Sequence, residues 1–165
     1  MYPIECVKYV NFPVIPKDVI DSIIPSEADL LEARERHYIS THNNVEKLNE
    51  WGRENIADRI YLNYQILFND LPAHIDRNTK SKLLYIVEAG GDSVYTNFYT
   101  DEKKTKLLYS TIIEPNRWCL FEADVAHEIV GMDKDKMRLG ITGQIFRDFI
   151  PSTRPQPVTG LYDRQ

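Results

Sequence analysis

From about residue 59 the chain breaks into short runs rich in Ile, Leu, Val, Tyr, Phe and Thr: "RIYLNYQILF", "KSKLLYIVEA", "SVYTNFYT", "KLLYSTIIE", "RWCLFEA" and "MRLGITGQIF". Turn clusters such as "NDLP", "AGGD", "EPN" and "GMDKDK" separate them. Strands this regular, with no helices between them, predict an antiparallel sandwich or barrel. "IECVKYV" and "RHYIST", nearer the N-terminus, are candidates to complete its edges.

The first third reads as helical pieces. Pro16 stands near a helix start, with Val19, Ile20, Ile23 and Ile24 on one face. Ser26 is a candidate N-cap with acids in the turn that follows. Asn44 is a candidate cap for a third helix, whose apolar side is Val45, Leu48 and Trp51. The tail from Pro151 contains further prolines and reads as irregular. The expectation is one α+β, mainly β domain over 1–165. Residues 1–58 are mainly helical support, 59–149 the β core and 150–165 the tail.

At 165 residues the chain can bury a sizeable core. No apolar run approaches the ~20 residues of a membrane span, and "MYPIECVKYV" lacks the basic-then-apolar order of a secretory signal. Cys6 and Cys119 are the two cysteines, not in Cys-x-x-Cys spacing, which fits a reducing cytoplasm rather than a disulfide scaffold or thiolate zinc site. A net charge of −5 argues against a duplex nucleic-acid partner.

Four histidines are present: His37, His42, His74 and His127. If "AHID" is extended, His74 and Asp76 project from one face, since side chains two apart in a strand share a side. An imidazole beside a carboxylate is half of a divalent-metal site, and equally an ordinary hydrogen-bonded surface pair. His127, 53 positions on in "CLFEADVAHEIVG", supplies a third donor, or is a histidine at a strand end. In "RLGITGQIF", Leu139, Ile141 and Ile145 alternate with Arg138, Gly140, Thr142 and Gln144. A guanidinium on such a polar face suits bidentate capture of a carboxylate inside a barrel; a solvated outer face is the plain alternative. Asp124 and Glu128 differ from His127 in parity and are expected to face the other way, while His37 and His42 read as surface residues.

His74-x-Asp76, His127 and Arg138, in this order and spacing, resemble the iron(II)- and 2-oxoglutarate-dependent dioxygenases, in particular the prolyl 4-hydroxylase-like branch. The resemblance covers roughly residues 59–149. It implies a double-stranded β-helix, a jelly-roll of two antiparallel sheets braced by N-terminal helices. It further implies that His74, Asp76 and His127 hold Fe(II), and that Arg138 binds the distal carboxylate of the cosubstrate 2-oxoglutarate. Tyr85 resembles a tyrosine that assists that carboxylate in related hydroxylases, although an aromatic in a sheet needs no such role. Tyr61 and Tyr64 are rivals of opposite parity. Where the family often has Ser or Thr two residues past the arginine, this chain has Gly140, and Thr142 is the candidate substitute.

The implied reaction uses O2 to hydroxylate a protein side chain such as proline, a free amino acid or another small molecule, with 2-oxoglutarate decarboxylated to succinate. Asp76 in place of Gly or Ala favours hydroxylation over halogenation. Two alternatives remain at this stage: a non-catalytic jelly-roll, cupin-like metabolite-binding module, and a cupin-type metal oxygenase not using 2-oxoglutarate.

Overall fold

Alternating burial along the strands decides the architecture. The computed structural model describes residues 5–36, 39–41, 43–76, 79–148 and 156–157. The N-terminal part carries β1 (Val7–Tyr9), α1 (Lys17–Asp21), α2 (Glu27–Glu35), β2 (Ile39–Thr41) and α3 (Glu46–Asn55). Then come β3 (Ile60–Leu67), β4 (Leu71–His74), β5 (Ser81–Ala89), β6 (Tyr95–Tyr99) and β7 (Leu107–Thr111). The last elements are β8 (Trp118–Glu122), β9 (Ala126–Val130), β10 (Arg138–Asp148) and β11 (Gln156–Pro157).

These strands form two antiparallel sheets. The larger has the order β1-β8-β5-β10-β3-β2, with β11 also paired to β10, and the smaller the order β4-β9-β6-β7. From β3 to β10 every connection crosses between the sheets except the β6–β7 hairpin. That path is a double-stranded β-helix, and β1 and β2 extend its larger sheet on either side, as the sequence suggested.

The larger sheet is covered on both faces. Its outer face, with Leu62, Tyr64, Ile66, Tyr85, Trp118 and Ile141, packs under Val19, Ile23, Leu48 and Trp51 of the N-terminal segments. Its inner face, with Leu84, Ile86, Cys119 and Phe121, meets Phe98 of the smaller sheet in a second core. The helix α3 is docked by Asn49, which is buried. Its amide donates to the Leu62 carbonyl (2.8 Å) and accepts from the Leu62 N–H (2.7 Å), imitating a strand partner.

The Ser26 cap is observed: its hydroxyl accepts from the Asp29 N–H at 3.0 Å. Asn44 is not the cap of α3. It lies at φ +56° and its amide reaches the Ile24 carbonyl, so Val45 takes the cap position. The first helix closes at Asp21, which leaves Ile24 outside it and 65 % exposed rather than on its apolar face. Among the described residues no helix is long and apolar enough to cross a membrane. His37, His42 and the tail, apart from Gln156 and Pro157 at β11, lie outside the described residues.

Candidate metal centre

Pairing of β4 with β9 sets His74 directly opposite His127. Just past β4 the Asp76 N–H donates to the Ala123 carbonyl (2.9 Å), which pins the chain where Asp76 turns back towards both rings. The Asp76 Oδ1 lies 3.3 Å from His74 Nε2 and 4.0 Å from His127 Nε2. One donor atom from each of the three residues falls within 4.8 Å of the others. His74, Asp76 and His127 are therefore brought together, although 53 positions separate the two histidines.

The far side of each ring fixes its tautomer. His74 Nδ1 is 2.8 Å from the Pro72 carbonyl and His127 Nδ1 is 2.7 Å from the Val125 carbonyl. A carbonyl only accepts, so Nδ1 carries a proton in both rings, and in a neutral ring Nε2 is left with the lone pair. Such backing bonds orient metal-ligating histidines in general. The Phe121 ring meets His127 edge-on at 4.8 Å and restrains it further. Two free imidazole nitrogens and a carboxylate oxygen converging on one point suit a divalent first-row ion. The residues fit iron(II).

Charge is arranged to the same end. Burial pushes His127 down from 6.5 to about 4, so the ring is neutral near pH 7. Because the unfolded histidine protonates first, that burial lowers the stability of the metal-free fold as pH falls between those two values. The hydrogen bond that Asp76 Oδ1 accepts from a protonated His74 Nε2 raises His74, so in the metal-free protein a proton competes with an ion for that nitrogen. For Asp76 burial alone acts upward, but the His74 bond and the Lys82 ammonium outweigh it and hold the carboxyl well below its usual range.

Lys82 was not singled out in the sequence. Its Nζ donates to Asp76 Oδ2 at 2.7 Å, with the lysine side chain only 16 % exposed. The clamp leaves Oδ1 as the carboxylate atom facing the histidines. In Lys82→Met the Asp76 carboxyl is expected to titrate closer to its ordinary 3.8. The measurement is a carboxyl-carbon NMR titration of the metal-free protein; an unchanged titration would mean the lysine is not acting on Asp76.

A narrow pocket between the sheets runs inward from this cluster. Along β5 its wall is Lys82, then Leu84 and Ile86, and opposite stand Thr96 and Ile129. Arg138 lines it too and is 3 % exposed. Its Nη1 donates to the Ala89 carbonyl at 3.0 Å. No carboxylate of the described residues pairs with it. Burial pushes the guanidinium from 12.5 down to about 10, still cationic at neutral pH. A buried cation without a counter-ion is costly unless an anion joins it.

The remaining candidates are placed elsewhere. Tyr85 is not brought to the pocket: Lys82, Leu84 and Ile86 take the inner face of β5, so Tyr85 points outward and packs on Trp118 with ring centroids 5.0 Å apart. Tyr64 likewise belongs to the outer core, whereas Tyr61 has the parity of the pocket-lining Gln65 but is 36 % exposed. Thr142 shares the face of Arg138, yet four strand residues span about 13 Å, and its hydroxyl donates to Asn63 instead (2.6 Å). Glu128 faces away from the histidines and accepts from Tyr99, Lys104 and Asn97. Asp124 is exposed.

No family model matches the chain, and no curated protein matches it. Among solved structures it is similar to an oxalate oxidase in complex with glycolate, at 13 % identity over 65 % of this chain with a TM-score of 0.41. It is also similar to hydroxypropylphosphonic acid epoxidase from S. wedmorenis, at 11 % identity over 65 % of this chain with a TM-score of 0.40. The chain spans about half the length of each of these two. A Pseudomonas putida prolyl-4-hydroxylase matches at 16 % identity, over 82 % of this chain and 84 % of its own, with a TM-score of 0.39. At these identities and scores the likenesses carry no functional weight.

Proposed function

We propose that this chain is an iron(II)- and 2-oxoglutarate-dependent dioxygenase, a hydroxylase. The observation that carries the reading is the combination of a His74–Asp76–His127 cluster, with both Nε2 atoms freed, and the uncompensated Arg138 cation lining one pocket. A metal-binding module would need the first and a carboxylate-binding module the second. An enzyme that joins a chelating 2-oxo acid to a metal needs both, and the distal carboxylate of 2-oxoglutarate supplies the anion that Arg138 lacks.

In this reading His74, Asp76 and His127 hold the ion, which when bound supplies the oxygen-activating redox chemistry. The protein's share is positioning. The Pro72 and Val125 carbonyls fix the two rings, and Lys82 fixes the carboxylate. Arg138 fixes the far end of the cosubstrate, while Leu84, Ile86 and Ile129 keep water from the channel between them. Overall, one atom of O2 enters a C–H bond of the primary substrate and the other enters succinate as carbon dioxide leaves. The primary substrate is a protein side chain such as proline, a free amino acid or another small molecule. A cytoplasmic setting belongs to the same proposal, since Cys6 and Cys119 are buried free thiols and a reducing medium keeps iron ferrous.

Anaerobic addition of iron(II) and 2-oxoglutarate is expected to give a weak visible absorption band that needs both components. Admission of oxygen should then yield succinate, faster when a substrate is present. Metal binding without that band would instead indicate an oxygenase in which Arg138 contacts the primary substrate.

A further inference from the structure

Gly140 lines the pocket on the same strand face as Arg138, two residues past it, where another residue could place a side-chain hydroxyl in that wall. Glycine offers none. Across the pocket, Thr96 of β6 lines the same space and is 0 % exposed. It lies between Val94 and Phe98, both buried and apolar. Its Oγ1 is buried with no hydrogen-bond partner, although nearly every buried polar atom in a folded protein has one. Valine has nearly the same shape and would leave nothing unsatisfied. A hydroxyl kept in the wall of a channel that already holds an uncompensated cation points to a ligand oxygen as its partner.

We propose that Thr96 is the second anchor of the anion subsite headed by Arg138, donating its hydroxyl proton to a carboxylate oxygen of the bound dicarboxylate. The subsite is then split between the sheets: Arg138 approaches from the larger and Thr96 from the smaller. Nothing is needed from position 140. The role rests on the reading of 2-oxoglutarate as cosubstrate and adds to it a second residue, beside Arg138, that distinguishes a 2-oxo dicarboxylate from a 2-oxo monocarboxylate. The register supports it, because Thr96 pairs with Ile129, two residues along β9 from His127, and so lies one inward-facing step beyond the metal cluster. A ligand held at the cluster by its 2-oxo acid end extends past this position.

The test is calorimetric titration of the full chain loaded with Mn(II), using 2-oxoglutarate and, separately, 2-oxobutyrate, which has the same chelating end and no distal carboxylate. Thr96→Val is expected to weaken 2-oxoglutarate about tenfold or more, the worth of a hydrogen bond to a charged group. It should leave 2-oxobutyrate unchanged, and Thr96→Ser should stay within about threefold of the original. Thermal unfolding of metal-free Thr96→Val should show no loss of stability, since it removes an unsatisfied hydroxyl. A rescue variant is available: a Cβ at Gly140 meets only Ile86 and Leu84 at ordinary contact distances of 3.5 Å, so a serine fits. Adding Gly140→Ser to Thr96→Val should restore much of the lost affinity. Unchanged 2-oxoglutarate binding in Thr96→Val, or an equal loss for 2-oxobutyrate, overturns the subsite alone. Failure of the unaltered chain to bind 2-oxoglutarate overturns the cosubstrate reading and the subsite with it.

Discussion

Asp76→Ala is expected to abolish 2-oxoglutarate turnover and to weaken Mn(II) binding well beyond the ~10–100-fold that loss of an outer-shell partner costs. Two consequences follow from one side chain. The carboxylate Oδ1 faces both histidine Nε2 atoms, so its loss removes a charged donor from the cluster. Its Oδ2 accepts from Lys82, so the same change strands an ammonium that is 16 % exposed. The metal-free variant should therefore be less stable than the original at pH 7. The sign of the pH dependence is fixed by the depressed Asp76 carboxyl. Its contribution to stability is present above the ordinary value of 3.8 and is lost as pH falls through the lower folded value. Melting curves of the two proteins should thus converge on acidification, at strongly acid pH. Asp76→Asn separates the effects, keeping the shape while removing the charge. Mn(II) affinity unchanged in Asp76→Ala would remove this residue from the metal site.

The legible part of the chain was the part where chemistry and parity coincide. His74 and Asp76 come together as their spacing suggested, although β4 ends at His74 and Asp76 turns back just past it, its N–H bonded to the Ala123 carbonyl. On β10 the apolar set Leu139 and Ile141 separates cleanly from Arg138 and Gly140, so the inward face could be assigned. On β5 it could not. "LLYIV" is apolar on both faces because one is covered by the helices and the other by the smaller sheet, and such strands lose their alternation. Tyr85 points outward for that reason, and nothing in the pattern marks Lys82, at the strand's start, as a pocket residue. Thr96 was hidden differently. A threonine among strand residues is unremarkable by propensity, and only its burial without a partner marks it. Thr142 had the right parity but the wrong distance, since strand rise sets four residues too far along for one carboxylate.

Arg138→Met is expected to raise the 2-oxoglutarate dissociation constant of the Mn(II)-loaded protein about 100-fold or more, while metal affinity changes little. Two charge-assisted hydrogen bonds to one carboxylate account for an effect of that size. Lysine keeps the charge but not the planar fork, so Arg138→Lys should fall between the two. Stability should move the opposite way. Arg138 is 3 % exposed, and the ligand-free partner of its guanidinium is a neutral carbonyl, that of Ala89. Replacing an uncompensated buried charge by an apolar side chain of similar length is commonly neutral or stabilising. Metal-free Arg138→Met should therefore melt at or above the temperature of the original, whereas added 2-oxoglutarate should stabilise only the original. If Arg138 were structural, the variant would melt lower and bind 2-oxoglutarate normally. Opposite movement of stability and affinity is the mark of a residue kept for its ligand. The same opposition is expected at Thr96 but not at Asp76, where Lys82 already compensates the charge. In the proposed reading the pocket carries one charge balanced by the fold at the metal cluster and one left for the cosubstrate to balance, and calorimetry with melting curves on the three variants reads that difference directly.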